Sequence, residues 1–252
     1  MLLKQDFYFN SLRANRPLHI RIPDHGEPPF PVFYFFDGHN LFKDEDATFG
    51  KSWGLEEYCS TWDKQMIIVG VECAHGHNER MSEYLPYGVN FGWLKGIEPL
   101  GEATMQGIIY ELKPYIDATF PTIPFRECTA IGGSSMGGLM AEYMIAKYNS
   151  VFSKAACVSP AHYFCLSGIR DVIRNCEYDE NTRIYMDLGT KERSGEFELI
   201  ASIDLIQEFC HEYEKRGCHT WPHLVMGGSH NEASWETVVP LFLEFLYPEL
   251  YK

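Results

Sequence analysis

Val, Ile and Phe crowd without alternation into PVFYFFDG (31–38) and MIIVGVE (66–72). An apolar run of strand length with no polar alternation is buried on both faces, as in a parallel strand covered by helices above and below. FSKAACVS (152–159), TRIYMDLG (182–189) and HTWPHLVMGG (219–228) read as three further strands, and a short apolar strand covers 127–131. Between these runs the period changes. Met105, Ile108, Ile109, Leu112 and Ile116 recur at helical spacing, as do Met136, Leu139, Met140, Tyr143 and Met144, and helical patterns return at 196–216 and 232–247. Residues 2–10 and 17–22 predict two strands around a turn at Ser11–Arg16. The alternation predicts an α/β fold with a mostly parallel central sheet flanked by helices. Pro160–Asn181 is longer than an ordinary strand-to-helix loop and rich in aromatic and polar residues, so it reads as a small cap. No repeat or linker interrupts the chain, and one domain is expected over residues 1–252.

Where the strand near 127–131 runs into a helix, the chain reads Gly133-Ser134-Ser135-Met136-Gly137. This is the G-x-S-x-G pattern in the strand–turn–helix context it requires: a turn so tight that side chains are excluded two residues before and two after the nucleophile. Gly133 and Gly137 meet that condition around Ser135. Ser134 does not qualify, because Met136 stands where its second glycine is needed.

A serine hydroxyl attacks only when an imidazole takes its proton, and the imidazole needs a carboxylate to fix its tautomer. In the chain order Ser, acid, His, the candidate base is His230, directly after the last predicted strand and before the final helix. His211 falls on a helix, and His219 and His223 sit within or beside the strand. For the acid, DLGTKE offers Asp187 and Glu192. Glu192 is favoured because it lies on the loop, with Asp187 as the alternative, poised for a structural hydrogen bond. Oxyanion donors are expected from the Met136 amide and from the loop Asp37-Gly38-His39-Asn40, with His39 as the second donor.

Trp93 and Trp235 are candidate substrate-stacking residues, and Arg80 is a candidate for holding an anionic group, weighed against an ion pair with a nearby carboxylate. His75-Gly76-His77 resembles a metal pair, but no H-E-x-x-H or cysteine–histidine cluster accompanies it, so neither metal nor cofactor is expected.

Composition narrows the partners. Thirty-five acidic residues against 21 basic give a formal charge of −14, which repels nucleic-acid phosphates and anionic membrane surfaces. A small-molecule substrate is expected instead. The eight cysteines include no C-x-x-C pair and several lie in apolar runs, so they read as reduced. No stretch approaches a membrane span or a secretory leader, and a cytoplasmic location is the expectation.

FFDGHNLF, ERMSEYLP, ELKPYID, IGGSSMGG, CVSPA, DLGTKE and GSHNEASW, spread from residue 35 to 235, resemble the putative esterase family of α/β hydrolases. That family includes enterochelin esterase-like enzymes, feruloyl and acetyl-xylan esterases, S-formylglutathione hydrolases and mycolyltransferases. The resemblance implies an α/β-hydrolase fold with Ser135 as nucleophile, Glu192 as acid and His230 as base. It implies hydrolysis of a short acyl or hydroxycinnamoyl ester of a sugar or another small ester. An acyltransferase using the same residues and a noncatalytic binding protein on the same scaffold are the alternatives.

Overall fold

The computed structural model describes residues 1–90 and 92–248; residues 91 and 249–252, within the expected 1–252 domain, lie outside them. Strands β1 (Leu2–Phe9), β2 (Ala14–Arg21), β3 (Val32–Phe36), β4 (Ile67–Val71), β5 (Thr129–Ser134), β6 (Lys154–Val158), β7 (Arg183–Gly189) and β8 (His219–Val225) form one sheet. Its order is β1-β2-β4-β3-β5-β6-β7-β8. The β1–β2 hairpin is antiparallel and joins β4 antiparallel, and every pairing from β4 through β8 is parallel. The helices are α1 (Leu55–Thr61), α2 (Glu79–Glu83), α3 (Gly101–Gly107), α4 (Lys113–Thr119), α5 (Met136–Lys147), α6 (Leu166–Asn175), α7 (Glu196–Glu214) and α8 (Glu232–Leu246). This is the α/β-hydrolase fold.

The apolar runs divide by parity, as the two-residue period of a strand requires. In β3, Val32, Tyr34 and Phe36 enter one core cluster while Phe33 and Phe35 enter the other. In β4, Ile67, Val69 and Val71 likewise oppose Ile68. Helices α3 to α7 cover the first face. The second is covered by Leu55 and Cys59 of α1 and by Trp235, Val238, Phe242 and Leu246 of α8. There Phe33 and Phe35 stack at 4.2 Å, with Phe242 edge-on to Phe33 at 6.2 Å.

Two stretches depart from the simple pattern. The periodic run from Met105 to Ile116 is α3 and α4 joined through a π-helical turn at Ile108–Leu112. The extra residue in that turn shifts the apolar face, which keeps Ile108, Ile109, Leu112 and Ile116 all buried. β8 is an edge strand, and its exposed or half-exposed residues alternate instead of forming a buried run.

Helix α5 is buried on nearly every side, including the fully buried Glu142, whose carboxylate pairs with His162 in the turn after β6. Within residues 160–181, α6 sends Ile169 and Ile173 into the main core cluster and Arg170 to Glu208 of α7, at 2.8 Å and 2.7 Å. All eight cysteines are free thiols, and seven are buried. Among the described residues no helix is long and apolar enough to cross a membrane.

Candidate active site

Ser135 sits between the end of β5 and the first residue of α5 with φ 57° and ψ −119°, a region that non-glycine residues seldom occupy. The turn is pinned on both sides. The Ser135 amide donates to the Val158 carbonyl at 3.0 Å, and the Ser135 carbonyl accepts from Leu139 and Ala161, each at 3.0 Å. The glycines are a steric necessity: a Cβ on Gly133 would stand 2.7 Å from the Gly137 backbone, and one on Gly137 would stand 3.0 Å from Phe36 Cβ. Met136, buried, opens α5, so its amide is among those that a helix N-terminus leaves without an intrahelical acceptor.

The parallel strands deliver the other groups to the same edge. His230 follows β8 and presents Nδ1 to Glu192 Oε2 at 2.8 Å. The His230 side chain is 39% exposed and that of Glu192 only 1%. Glu192 Oε1 in turn accepts from Ser159 Oγ at 2.6 Å and from the Gly189 amide at 2.7 Å. Burial by itself raises the Glu192 pKa, but the bonds from His230, Ser159 and Gly189 outweigh it and hold the carboxyl below its ordinary value.

Asp187 occupies a different place. It is buried beneath the loop, with Oδ1 accepting from the Ser159 amide at 2.7 Å and Oδ2 within 3.0 Å of the Tyr185 hydroxyl. Burial pushes its carboxyl up to about 7 despite those bonds, with the Glu192 charge adding to the rise.

A cavity of about 620 Å³ contains Ser135, His230, His39, Arg80 and Trp235 together on its wall. Trp235 is buried, donates Nε1 to Ser159 Oγ at 3.1 Å, and sets its ring edge-on to His230 at 5.1 Å. Arg80 grips Asp37 with two bonds, Nε to Oδ1 at 2.8 Å and Nη2 to Oδ2 at 2.7 Å. Burial works against the Asp37 charge, yet the Arg80 guanidinium more than offsets it and keeps the carboxyl low. This pair fixes the loop after β3, where Asp37 takes a left-handed φ of 55° and Gly38 packs so closely on Gly70 that a Cβ would meet its backbone at 2.4 Å. Trp93, by contrast, is 60% exposed, stands edge-on to Phe164 at 5.6 Å, and is not on the cavity wall.

Two arrangements at this edge were not assigned from the sequence. Ser159, at a left-handed φ of 45°, links Trp235 to Glu192 through its hydroxyl and Asp187 through its amide. CVSPA is one of the stretches that carry the family resemblance, but nothing in it assigns Ser159 a role. The second is a grouping of His39, Cys73 and His75 at the ends of β3 and β4, which a search for local metal motifs around His75-Gly76-His77 passes over.

The profile of the Esterase family, described as putative esterase, matches residues 10–240. The uncharacterized protein YbbA of Bacillus subtilis (strain 168) is 23% identical over 172 residues, which is 65% of this chain and 62% of that protein. The crystal structure of BES protein from Bacillus cereus superposes with a TM-score of 0.76 at 20% identity, covering 97% of this chain and 94% of the other. An IroE-like serine hydrolase from Shewanella oneidensis gives a TM-score of 0.74 at 17% identity, over 98% of this chain and 79% of its own. At these identities the structural likeness speaks for the fold. The family match runs through the elbow, the Glu192 loop and the His230 loop, and the chain belongs to the putative esterase family of ester-bond hydrolases.

Proposed function

We propose that this chain is a serine carboxylic ester hydrolase that works through an acyl-enzyme on a small ester, as a single domain. The observation that carries the reading is the 2.8 Å contact between His230 Nδ1 and Glu192 Oε2, on a cavity that also exposes Ser135. With Nδ1 engaged by the carboxylate, Nε2 is the nitrogen left to accept the Ser135 proton. Ser135 Oγ attacks the ester carbonyl, and the developing oxyanion is met by the Met136 amide and the His39 amide. His230 returns the proton to the leaving alcohol, the alcohol departs, and water attacks the acyl-Ser135 ester by the same relay. Glu192, kept ionised by its own hydrogen bonds, stabilises the imidazolium in both halves.

The cavity volume of about 620 Å³ accommodates a compact ester group. Trp235 and Phe49 offer apolar wall, while Arg80 is already committed to Asp37. A short acyl or hydroxycinnamoyl ester of a sugar, or another small ester, fits this lining. A panel of p-nitrophenyl and sugar esters from acetyl to feruloyl, with wild type and Ser135→Ala, tests the reading. Ester cleavage by wild type and its loss in Ser135→Ala are expected; cleavage that persists in the variant refutes it. Product analysis with an added sugar alcohol separates hydrolysis from acyl transfer.

A further inference from the structure

The loops that follow β3 and β4 leave the sheet side by side, and they bring His39, Cys73 and His75 together. One ring nitrogen of each histidine and Cys73 Sγ lie within 4.8 Å of one another. His39 and Cys73 are buried, and His75 is exposed. The two histidine rings stand edge to face at 5.0 Å.

Outer partners hold both rings. His39 Nε2 is 2.8 Å from Thr48 Oγ1, and its Nδ1 is buried with no hydrogen-bond partner, although the residue is only 6% exposed. A buried ring nitrogen left without a partner is costly in either tautomer unless something else engages it. His75 Nε2 meets Glu72 Oε1 at 2.6 Å, and Glu72 Oε2 meets His19 Nε2 at 2.8 Å. A carboxylate on one nitrogen that leaves the other free is the arrangement that orients metal-ligating histidines.

From this geometry we infer that His39, Cys73 and His75 form a binding site for a borderline-soft divalent transition metal of the Zn2+ class, beside the Ser135 cavity. Two imidazoles and a thiolate are the ligand set that such an ion prefers, and three protein ligands leave a fourth position open to the cavity. In a tetrahedral site with metal–ligand distances of about 2.1–2.3 Å the ligand atoms stand roughly 3.5 Å apart, so the grouping closes by about an ångström when it binds. The side-chain rotation that this requires is available to the exposed His75. The metal displaces the Cys73 thiol proton to solvent and forms the M–S bond in its place. Because His39, Cys73 and His75 all line the cavity that holds Ser135 and His230, an ion there takes up substrate space and slows ester turnover. That effect on turnover rests on the serine-esterase reading, whereas metal binding itself does not.

The test is a titration of the reduced, metal-free protein with Co2+ and then Zn2+, read by absorbance and by competition with a chromophoric chelator. One equivalent of Co2+ is expected to produce a thiolate-to-metal charge-transfer band with visible ligand-field bands, both displaced by Zn2+. Cys73→Ser should lose the charge-transfer band, and His75→Ala, at an exposed position, should bind at least tenfold more weakly. His77→Ala should bind like wild type. Circular dichroism checks each fold, and His75→Ala remains decisive where Cys73→Ser does not fold. No charge-transfer band in wild type, or a band kept in Cys73→Ser, overturns the inference, as does unchanged affinity in His75→Ala. These optical readouts are independent of whether the protein cleaves esters.

Discussion

Ser159 Oγ stands 2.6 Å from Glu192 Oε1, so the carboxylate that meets His230 is itself held from behind. The same hydroxyl accepts from Trp235 Nε1, and the chain of bonds runs from Trp235 through Ser159 to Glu192 and on to His230. Ser159→Ala removes the link without touching the imidazole. A hydrogen bond to a charged acceptor of this kind is worth about 1.4 kcal/mol or more, so kcat/KM should fall about tenfold with most of the loss in kcat. Steady-state kinetics on one good ester measures it, and an unchanged kcat would show that Glu192 needs no support.

Glu192 and Asp187 should separate cleanly by mutation. Glu192→Gln keeps the shape but removes the charge that stabilises the imidazolium, and a loss of about 10²–10⁴ in kcat/KM is expected. Asp187→Asn keeps an acceptor for the Ser159 amide and reverses the Tyr185 bond, its amide donating where the carboxylate accepts from the hydroxyl, and should stay within about threefold of wild type, as a substitution with no bond to His230 should. The reverse ranking would make Asp187 the acid.

Asp187 also sets a pH dependence of stability. Its carboxyl, pushed up to about 7, keeps its proton in the folded chain where the unfolded chain has already lost it. The folded state therefore binds the extra proton, and stability falls as pH rises from about 4 to about 7 before levelling off. Asp187→Asn should flatten that slope. Urea unfolding midpoints across this range measure it, and an equal slope in wild type and variant would mean that Asp187 is ionised in the fold.

Arg80 is the counter-charge of a buried carboxylate. Arg80→Ala strands Asp37 and should cost about 3–5 kcal/mol, with part of the loss recovered when Asp37→Asn is added. Thermal or urea denaturation of the two single variants and the double variant tests this coupling. Additive losses would show that the pair contributes nothing as a unit.

The unalternating apolar runs made the sheet legible, because strands buried on both faces leave short β-branched and aromatic runs such as VFYFF and IIVGV bounded by turn residues. Ser135 and His230 stand out in the sequence as candidates for a local reason: a tight turn forces Gly133 and Gly137, and the loop after the last strand has one histidine. The loop position favours Glu192 over Asp187 as the proposed acid, and the directions of the two side chains support that choice: Glu192 meets His230, whereas Asp187 turns to the Ser159 amide and Tyr185. Trp93 looked like a stacking residue because it is aromatic and lies in a loop, and those traits say nothing about which wall a loop faces. The partners of Arg80 and His39 were hidden for a further reason. They come from adjacent strand ends 43 and 34 to 36 positions away, where sequence spacing carries no distance information.

The most direct test of the central claim is labelling of the folded protein with a fluorophosphonate, followed by mass-spectrometric mapping of the modified peptide. The account predicts stoichiometric modification at Ser135, lost in Ser135→Ala and slowed in His230→Ala and Glu192→Gln. Labelling at another residue, or none in wild-type protein at neutral pH, would contradict it.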